Sequence, residues 1–228
     1  MVGRVTRAVI MAAGISERWE DYTGRPKHFL EIDGEPLLPR LVRQLRDKAE
    51  IVISGPPDPR YKLADAALWV PYANPANHDA DAHLGTVPVW DHKGRTVLLF
   101  GDCWYSDAAM DTILGYGGTD WRYFCRFEPS ELTGKPWGEG WAWSFYPGSI
   151  PDILAAWQRV IRLVDTEVLW RCNGWEHYRA MCGLPDEQMP IDFHGDYGQA
   201  TVIDDWTEDF DFPHDLDTYL ERRALVAA

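Results

Sequence analysis

The sequence predicts a single α/β domain: a mostly parallel, mixed sheet flanked by helices. Two observations carry this. Short β-branched runs, RAVIM at 7–11, EIVIS at 50–54 and TVLLF at 96–100, alternate with helix-patterned segments. No repeat, linker or low-complexity tract divides the 228 residues, and a hydrophobic fraction of 46% is ample for one core.

Taken in order, Arg7 to Met11 reads as a buried strand running into the small-residue loop Ala12-Ala13-Gly14. Pro36 then opens a segment in which Leu37, Leu38, Leu41, Val42 and Leu45 share one face of a helix. Glu50 to Ser54 is the second strand, followed by a Pro-rich turn, a helix reaching about Ala67 and a short strand at Leu68 to Val70. Thr96 to Phe100 is the clearest buried strand and ends at Gly101-Asp102, with a helix expected over Asp107 to Leu114. From Trp121 the pattern changes to two aromatic strands, Trp121 to Phe127 and Gly140 to Tyr146, expected to pair antiparallel. Helices are expected at about Pro151 to Val164 and around Glu167 to Cys182, then a strand at Ala200 to Ile203 and a last helix from about Pro213 to Leu225.

Composition excludes several classes of function. A net charge of −14 leaves no large basic surface for a phosphate backbone, so nucleic acid is not expected as a partner. No window approaches the roughly 18 apolar residues of a membrane span, and the opening MVGRVTRAVIMAAG does not read as a signal peptide, so a cytoplasmic address is expected. Cys103, Cys125, Cys172 and Cys182 lack C-x-x-C spacing, which argues for buried thiols over zinc or redox chemistry. The 12 tryptophans, many between Trp137 and Trp175, read mainly as packing, with flat rings available for a ligand.

In such a sheet, ligands gather at the carboxyl ends of strands, here after Met11, Phe100 and Ile203. After the first comes Ala12-Ala13-Gly14-Ile15-Ser16-Glu17-Arg18, then Pro26-Lys27. Small residues let backbone amides face an anion, and Arg18 and Lys27 add two cations; the alternative is an ordinary turn with solvated basic side chains. Neither the P-loop nor the G-x-G-x-x-G string is present. After the second comes Asp102, a carboxylate able to hold a divalent ion or simply a loop residue. After the third comes an acidic tail with Asp209, Asp211 and Pro213-His214-Asp215-Leu216, readable also as a capped terminal helix.

Together these strings resemble the sugar-phosphate and phosphocholine-type nucleotidyltransferases, in which A-A-G-x-G-x-R precedes P-K and a short G-x-P, here Gly34-Glu35-Pro36. Ser16 stands where that family usually has a second glycine. The resemblance implies a glycosyltransferase-A-like (nucleotide-diphospho-sugar transferase-like) fold, with residues 1–120 as the nucleotide-binding half and 121–228 as the acceptor half. It implies transfer of a nucleoside monophosphate from a triphosphate to a phosphorylated acceptor, a sugar 1-phosphate or phosphorylated alcohol, with release of pyrophosphate.

On that reading Ala12, Ala13, Gly14, Ile15, Ser16, Arg18 and Lys27 bind the nucleotide, with Arg18 and Lys27 also stabilising the reacting phosphates. Leu84-Gly85-Thr86 resembles the family's middle G-T element, which makes Gly85 and Thr86 nucleotide-binding candidates. Asp102 and Asp211 would hold Mg²⁺, with Asp209 in reserve. Two other functions fit the same residues: a glycosyltransferase of the same fold using a nucleotide sugar, and a catalytically silent relative that binds a nucleotide or a protein. Oligomeric state is not indicated by the sequence.

Overall fold

The structure is a computed structural model that describes residues 5–14, 19, 24–71, 82–190 and 195–227. The strands are β1 (Val5–Met11), β2 (Glu31–Ile32), β3 (Glu35–Pro36), β4 (Glu50–Ser54), β5 (Ala67–Trp69), β6 (Arg95–Phe100), β7 (Cys103–Trp104), β8 (Arg122–Arg126), β9 (Glu139–Phe145), β10 (Ala200–Val202) and β11 (Glu208–Asp209). The helices are α1 (Leu37–Leu45), α2 (Asp107–Gly115), α3 (Ile150–Asp165), α4 (Gly174–Met181) and α5 (Pro213–Ala227). Seven strands form one sheet in the order β10-β8-β9-β6-β1-β4-β5. β1 lies between β4 and β6, parallel to both, whereas β9 runs antiparallel to β6 and β8. The mixed, mostly parallel α/β architecture is the one expected, including the antiparallel aromatic pair.

The strand alternation explains the two core layers. Ala8, Ile10, Val97 and Leu99 face α1 and α2, meeting Leu38, Leu41, Val42, Leu45, Met110 and Ile113. Val9, Met11 and Leu98 face the other way, onto Trp90, Trp143, Trp157 and Tyr178. Most of the tryptophan richness is therefore packing, as eight of the 12 rings are buried and four of them, Trp90, Trp141, Trp143 and Trp157, fully so. Cys103, Cys125 and Cys172 are buried and Cys182 is half-buried, and none of the four is in a disulfide.

Two expected helices are corrected. The stretch after the Pro-rich turn forms only a 3-10 turn, Pro59–Tyr61, because Asp65 takes a left-handed conformation (φ +68°) that ends any helix before Ala67. The helix expected from Glu167 begins at Gly174. Glu167 is itself left-handed (φ +60°), and Asn173 with Glu176 closes a capping box that fixes the start. Residues 168–173 are thereby left as an irregular segment that reaches the mouth of the cleft described next.

Candidate active site

A cleft of about 770 Å³ opens at the carboxyl ends of β1 and β6. Its walls come from three places: Met11, Ala13 and Gly14 after β1; Phe100 and Asp102 after β6; and Trp137 to Gly140 with Trp170 to Trp175 from the second half of the chain. Asp209 and Asp211 of the tail complete it.

Gly101 explains how the first two strand ends come so close. Its amide donates to Met11 O at 2.9 Å, and a Cβ there would sit 2.7 Å from that same oxygen. Only glycine lets β6 pass the end of β1 this tightly, and the next residue is Asp102. Gly14 lines the cleft, and an added Cβ there would by contrast meet nothing within 4 Å among the described residues.

The tail arrives by a different route. After β10, Arg126 donates to Glu208 at 3.1 Å and to the Thr207 carbonyl oxygen in the protein interior, and to the Asp205 carbonyl oxygen at its partly buried edge. Thus clamped, β11 pairs antiparallel with β7, and Asp209 falls opposite Cys103. One oxygen each of Asp102 and Asp209 and the Cys103 sulfur lie within 4.8 Å of one another. A second group shares Asp209 and adds Glu139 and Asp211. Asp209, the reserve candidate, is therefore the tail residue grouped with Asp102, and Asp211 stands one group further on.

Two lysines hold these carboxylates. The Lys27 ammonium pairs with Asp102. Burial works against its charge, but Asp102, Asp209 and Asp211 outweigh burial and keep it protonated well above the usual lysine range. Asp102 answers in kind: burial pushes its pKa up, and Lys27 overcomes this and holds it down at about 2. Lys135 donates to Glu139 Oε1 and to the main-chain oxygen of Asp209, each at 2.9 Å. Burial, with Asp102, Asp211 and Glu139 nearby, still raises the Asp209 carboxyl well above its ordinary value. Glu139 is lifted to about 7, chiefly by burial.

The donor set suits a hard divalent cation, which takes oxygen ligands. Asp209 Oδ1 is buried and has no hydrogen-bond partner among the described residues. The Cys103 thiol is pushed up by burial and by Asp209 and Asp102, and a soft sulfur is a poor match for a hard ion, so the carboxylates are the fitting ligands.

The remaining candidates divide. Ala13, Gly14, Asp102, Asp209 and Asp211 line the cleft, and Ala12 is buried behind it with its amide on Ser54 O at 2.7 Å. Gly85 and Thr86 are not among its lining residues. The Gly85 carbonyl accepts from Trp69, and the buried Thr86 hydroxyl is spent on His83 O at 2.6 Å and on Trp90 Nε1 at 2.8 Å. Ile15, Ser16 and Arg18 lie outside the described residues. Lys135 and Glu139 went unnoticed in the sequence, where G-K-P-W-G-E carries no periodic signal. Tyr123 was also missed, and His83, which in sequence reads with His78 and Asp81 as solvated loop, is instead buried; both border the cleft with polar atoms that find no partner among the described residues.

No helix among the described residues is long and apolar enough to cross a membrane. Residues 8–96 match the model of the MobA-like NTP transferase domain, and no curated protein matches the chain by sequence. Among solved structures, a Bacillus anthracis protein assigned as a glucose-1-phosphate thymidylyltransferase superposes with a TM-score of 0.62 at 12% identity, over 96% of this chain and 95% of that one. The CTP:phosphocholine cytidylyltransferase of Streptococcus pneumoniae gives 0.54 at 12% identity, over 96% and 99%. The 2-C-methyl-D-erythritol 4-phosphate cytidylyltransferase of Thermus thermophilus gives 0.55 at 15%, over 97% and 98%. Residues 8–96 thus carry the MobA-like NTP transferase sequence pattern, on a chain whose fold is that of the sugar-phosphate and phosphocholine-type nucleotidyltransferases.

Proposed function

We propose that this chain is a metal-assisted nucleotidyltransferase: it joins the nucleoside monophosphate of a triphosphate to a phosphorylated small-molecule acceptor and releases pyrophosphate. The observation that carries this is the meeting of Asp102, Asp209 and Lys27 at the strand ends beside the open Gly14 loop. An acceptor phosphate oxygen attacks the α-phosphorus, the bond to the β-phosphate oxygen breaks, and the electron pair leaves on pyrophosphate. The nucleophile is already ionised, so no general base is needed, and positioning with charge neutralisation supplies the rate.

The Ala13 and Gly14 backbone is the platform for the triphosphate, and the family resemblance assigns Ile15, Ser16 and Arg18 to the same nucleotide. Asp102 and Asp209 would hold the divalent ion, Mg²⁺ in this reading, which supplies charge neutralisation on the phosphate oxygens. Asp211 contributes beside Asp209, with which it shares the second acidic group. Lys27, beside Asp102, stabilises charge on the transferred phosphoryl and the leaving pyrophosphate. Gly85 and Thr86 support the site from outside the cleft.

The division into a nucleotide half (1–120) and an acceptor half (121–228) is supported by the placement of the family match and by the cleft wall. Trp137, Trp170 and Arg171 shape the acceptor side, where Trp170 is 77% exposed and the Arg171 guanidinium lies 4.4 Å over its ring. Mostly buried cysteines, none in a disulfide, accord with a reducing cytoplasmic setting.

The test is pyrophosphate release with each nucleoside triphosphate against a panel of sugar 1-phosphates, polyol phosphates and phosphocholine, with Mg²⁺ or EDTA. One triphosphate and one acceptor class should give Mg²⁺-dependent release. Absence of release across the panel, with transfer from a nucleotide sugar, would make the protein a glycosyltransferase instead.

A further inference from the structure

Lys135 sits on the connection between β8 and β9 and does not border the cleft. Its ammonium is almost fully buried at the centre of a ring of acids. Beyond the two bonds at 2.9 Å to Glu139 and to the Asp209 main chain, it lies 3.5 Å from Asp209 Oδ2 and 3.7 Å from both Asp211 Oδ2 and Asp215 Oδ2. Glu139, Asp209 and Asp211 each turn an oxygen toward it, and one carboxylate oxygen from each of the three residues lies within 4.8 Å of the others. Three carboxylate oxygens at that spacing are a donor set a divalent ion takes readily, and this one already surrounds a cation carried by the chain.

Asp209 links this cluster to the cleft. Its Oδ2 faces Lys135, while Oδ1 is buried with no hydrogen-bond partner among the described residues and belongs to the residue grouped with Asp102. One carboxylate thus has one oxygen committed to the lysine and one uncommitted.

We infer that Lys135 is a tethered cation filling what would otherwise be a second divalent-ion site, so that this acidic cluster takes one ion, at Asp102 and Asp209, and not two. The inference rests on the metal assignment proposed above. Lys135 is on this account a positioning residue: it aims Asp209 and neutralises the neighbouring Glu139 and Asp211 without itself bordering the cleft. Removing the ammonium takes away the one cation that bonds Glu139 and Asp209 and lies nearest Asp211, and three carboxylate oxygens at this spacing then offer a divalent ion the ligands it prefers.

The test counts bound Mn²⁺ on the full chain by equilibrium dialysis and electron paramagnetic resonance. Three proteins are compared, wild type, Lys135→Met and the double variant Lys135→Met/Glu139→Gln, with folding checked by circular dichroism. The expected counts are one, two and one. An unchanged count in folded Lys135→Met overturns the inference. If that variant does not fold, the wild type decides: a single magnetically isolated Mn²⁺ at saturation supports the inference, and a second ion coupled to the first overturns it. A wild type that binds none, with a gain of one in Lys135→Met, overturns the Asp102–Asp209 assignment and the count of one, and bears out only the filling of the Glu139–Asp209–Asp211 site by Lys135.

Discussion

Asp209 stands directly opposite Cys103 in the short antiparallel ladder of β11 and β7, which brings a tail carboxylate beside Asp102 from more than a hundred residues away in the chain. The ladder register makes Asp209 and not Asp211 the partner of Asp102. Asp209→Asn is therefore expected to lower turnover by about 10²–10³-fold, the usual cost of losing one group that stabilises developing charge. Asp211→Asn should cost no more than about tenfold. Steady-state pyrophosphate release by the two variants checks this, and a reversed order would move the metal ligand to Asp211.

Lys27 and Asp102 neutralise each other before any substrate is bound. Lys27→Met removes the cation and leaves the Asp102 carboxylate half-buried without it. Turnover should fall by about 10²–10³-fold. The Asp102 carboxyl should also rise from about 2 toward or above its ordinary value, since burial would then be unopposed by its nearest cation. NMR titration of labelled carboxylates reads the second effect independently of activity.

Arg126 anchors the tail through Glu208, which is fully buried. Deleting one member of such a pair strands the other charge, a loss of about 3–5 kcal/mol. Arg126→Met should unfold at markedly lower denaturant concentration, and Mn²⁺ affinity should drop with it because β11 carries Asp209. A variant of normal stability and normal metal affinity would mean that the tail is held by other contacts.

Acid sensitivity follows from three histidines buried in neutral form. Burial lowers His28 and His83 to about 4 and His177 further, with His83 adding to the effect on His177. The unfolded chain binds protons at these sites from about pH 6.5 downward, whereas the folded one does not. Stability is therefore present in full above about 6.5 and falls as pH drops toward 4, by about 3 kcal/mol for His83 alone. Melting curves from pH 7 to 4 should show this slope, and His83→Gln should flatten part of it. A slope unchanged by that substitution would remove His83 from the explanation.

The strands that build the cleft could be read from sequence because each is a continuous apolar run buried on both faces, and Val5–Met11, Glu50–Ser54 and Arg95–Phe100 fall where those runs lie. The loop after β1 and Asp102 were visible for the same reason, each following such a run. β7 and β11 were not: two residues apiece, they exist only through pairing with each other, and no local pattern encodes a contact of that separation. Lys135 and Glu139 escaped because buried charge has no periodicity to betray it. The late start of α4 was readable in principle, since Asn173-Gly174-Trp175-Glu176 is a capping-box string, but the apolar residues upstream masked it.

The decisive experiment is calorimetric titration of each nucleoside triphosphate, with and without Mg²⁺, beside a panel of nucleotide sugars, into the wild-type chain and Asp102→Asn. Binding of one triphosphate that requires Mg²⁺ and disappears in Asp102→Asn, with the variant's fold intact, is the expected result. Binding of nucleotide sugars alone, or triphosphate binding indifferent to both Mg²⁺ and Asp102, would contradict the nucleotidyltransferase assignment.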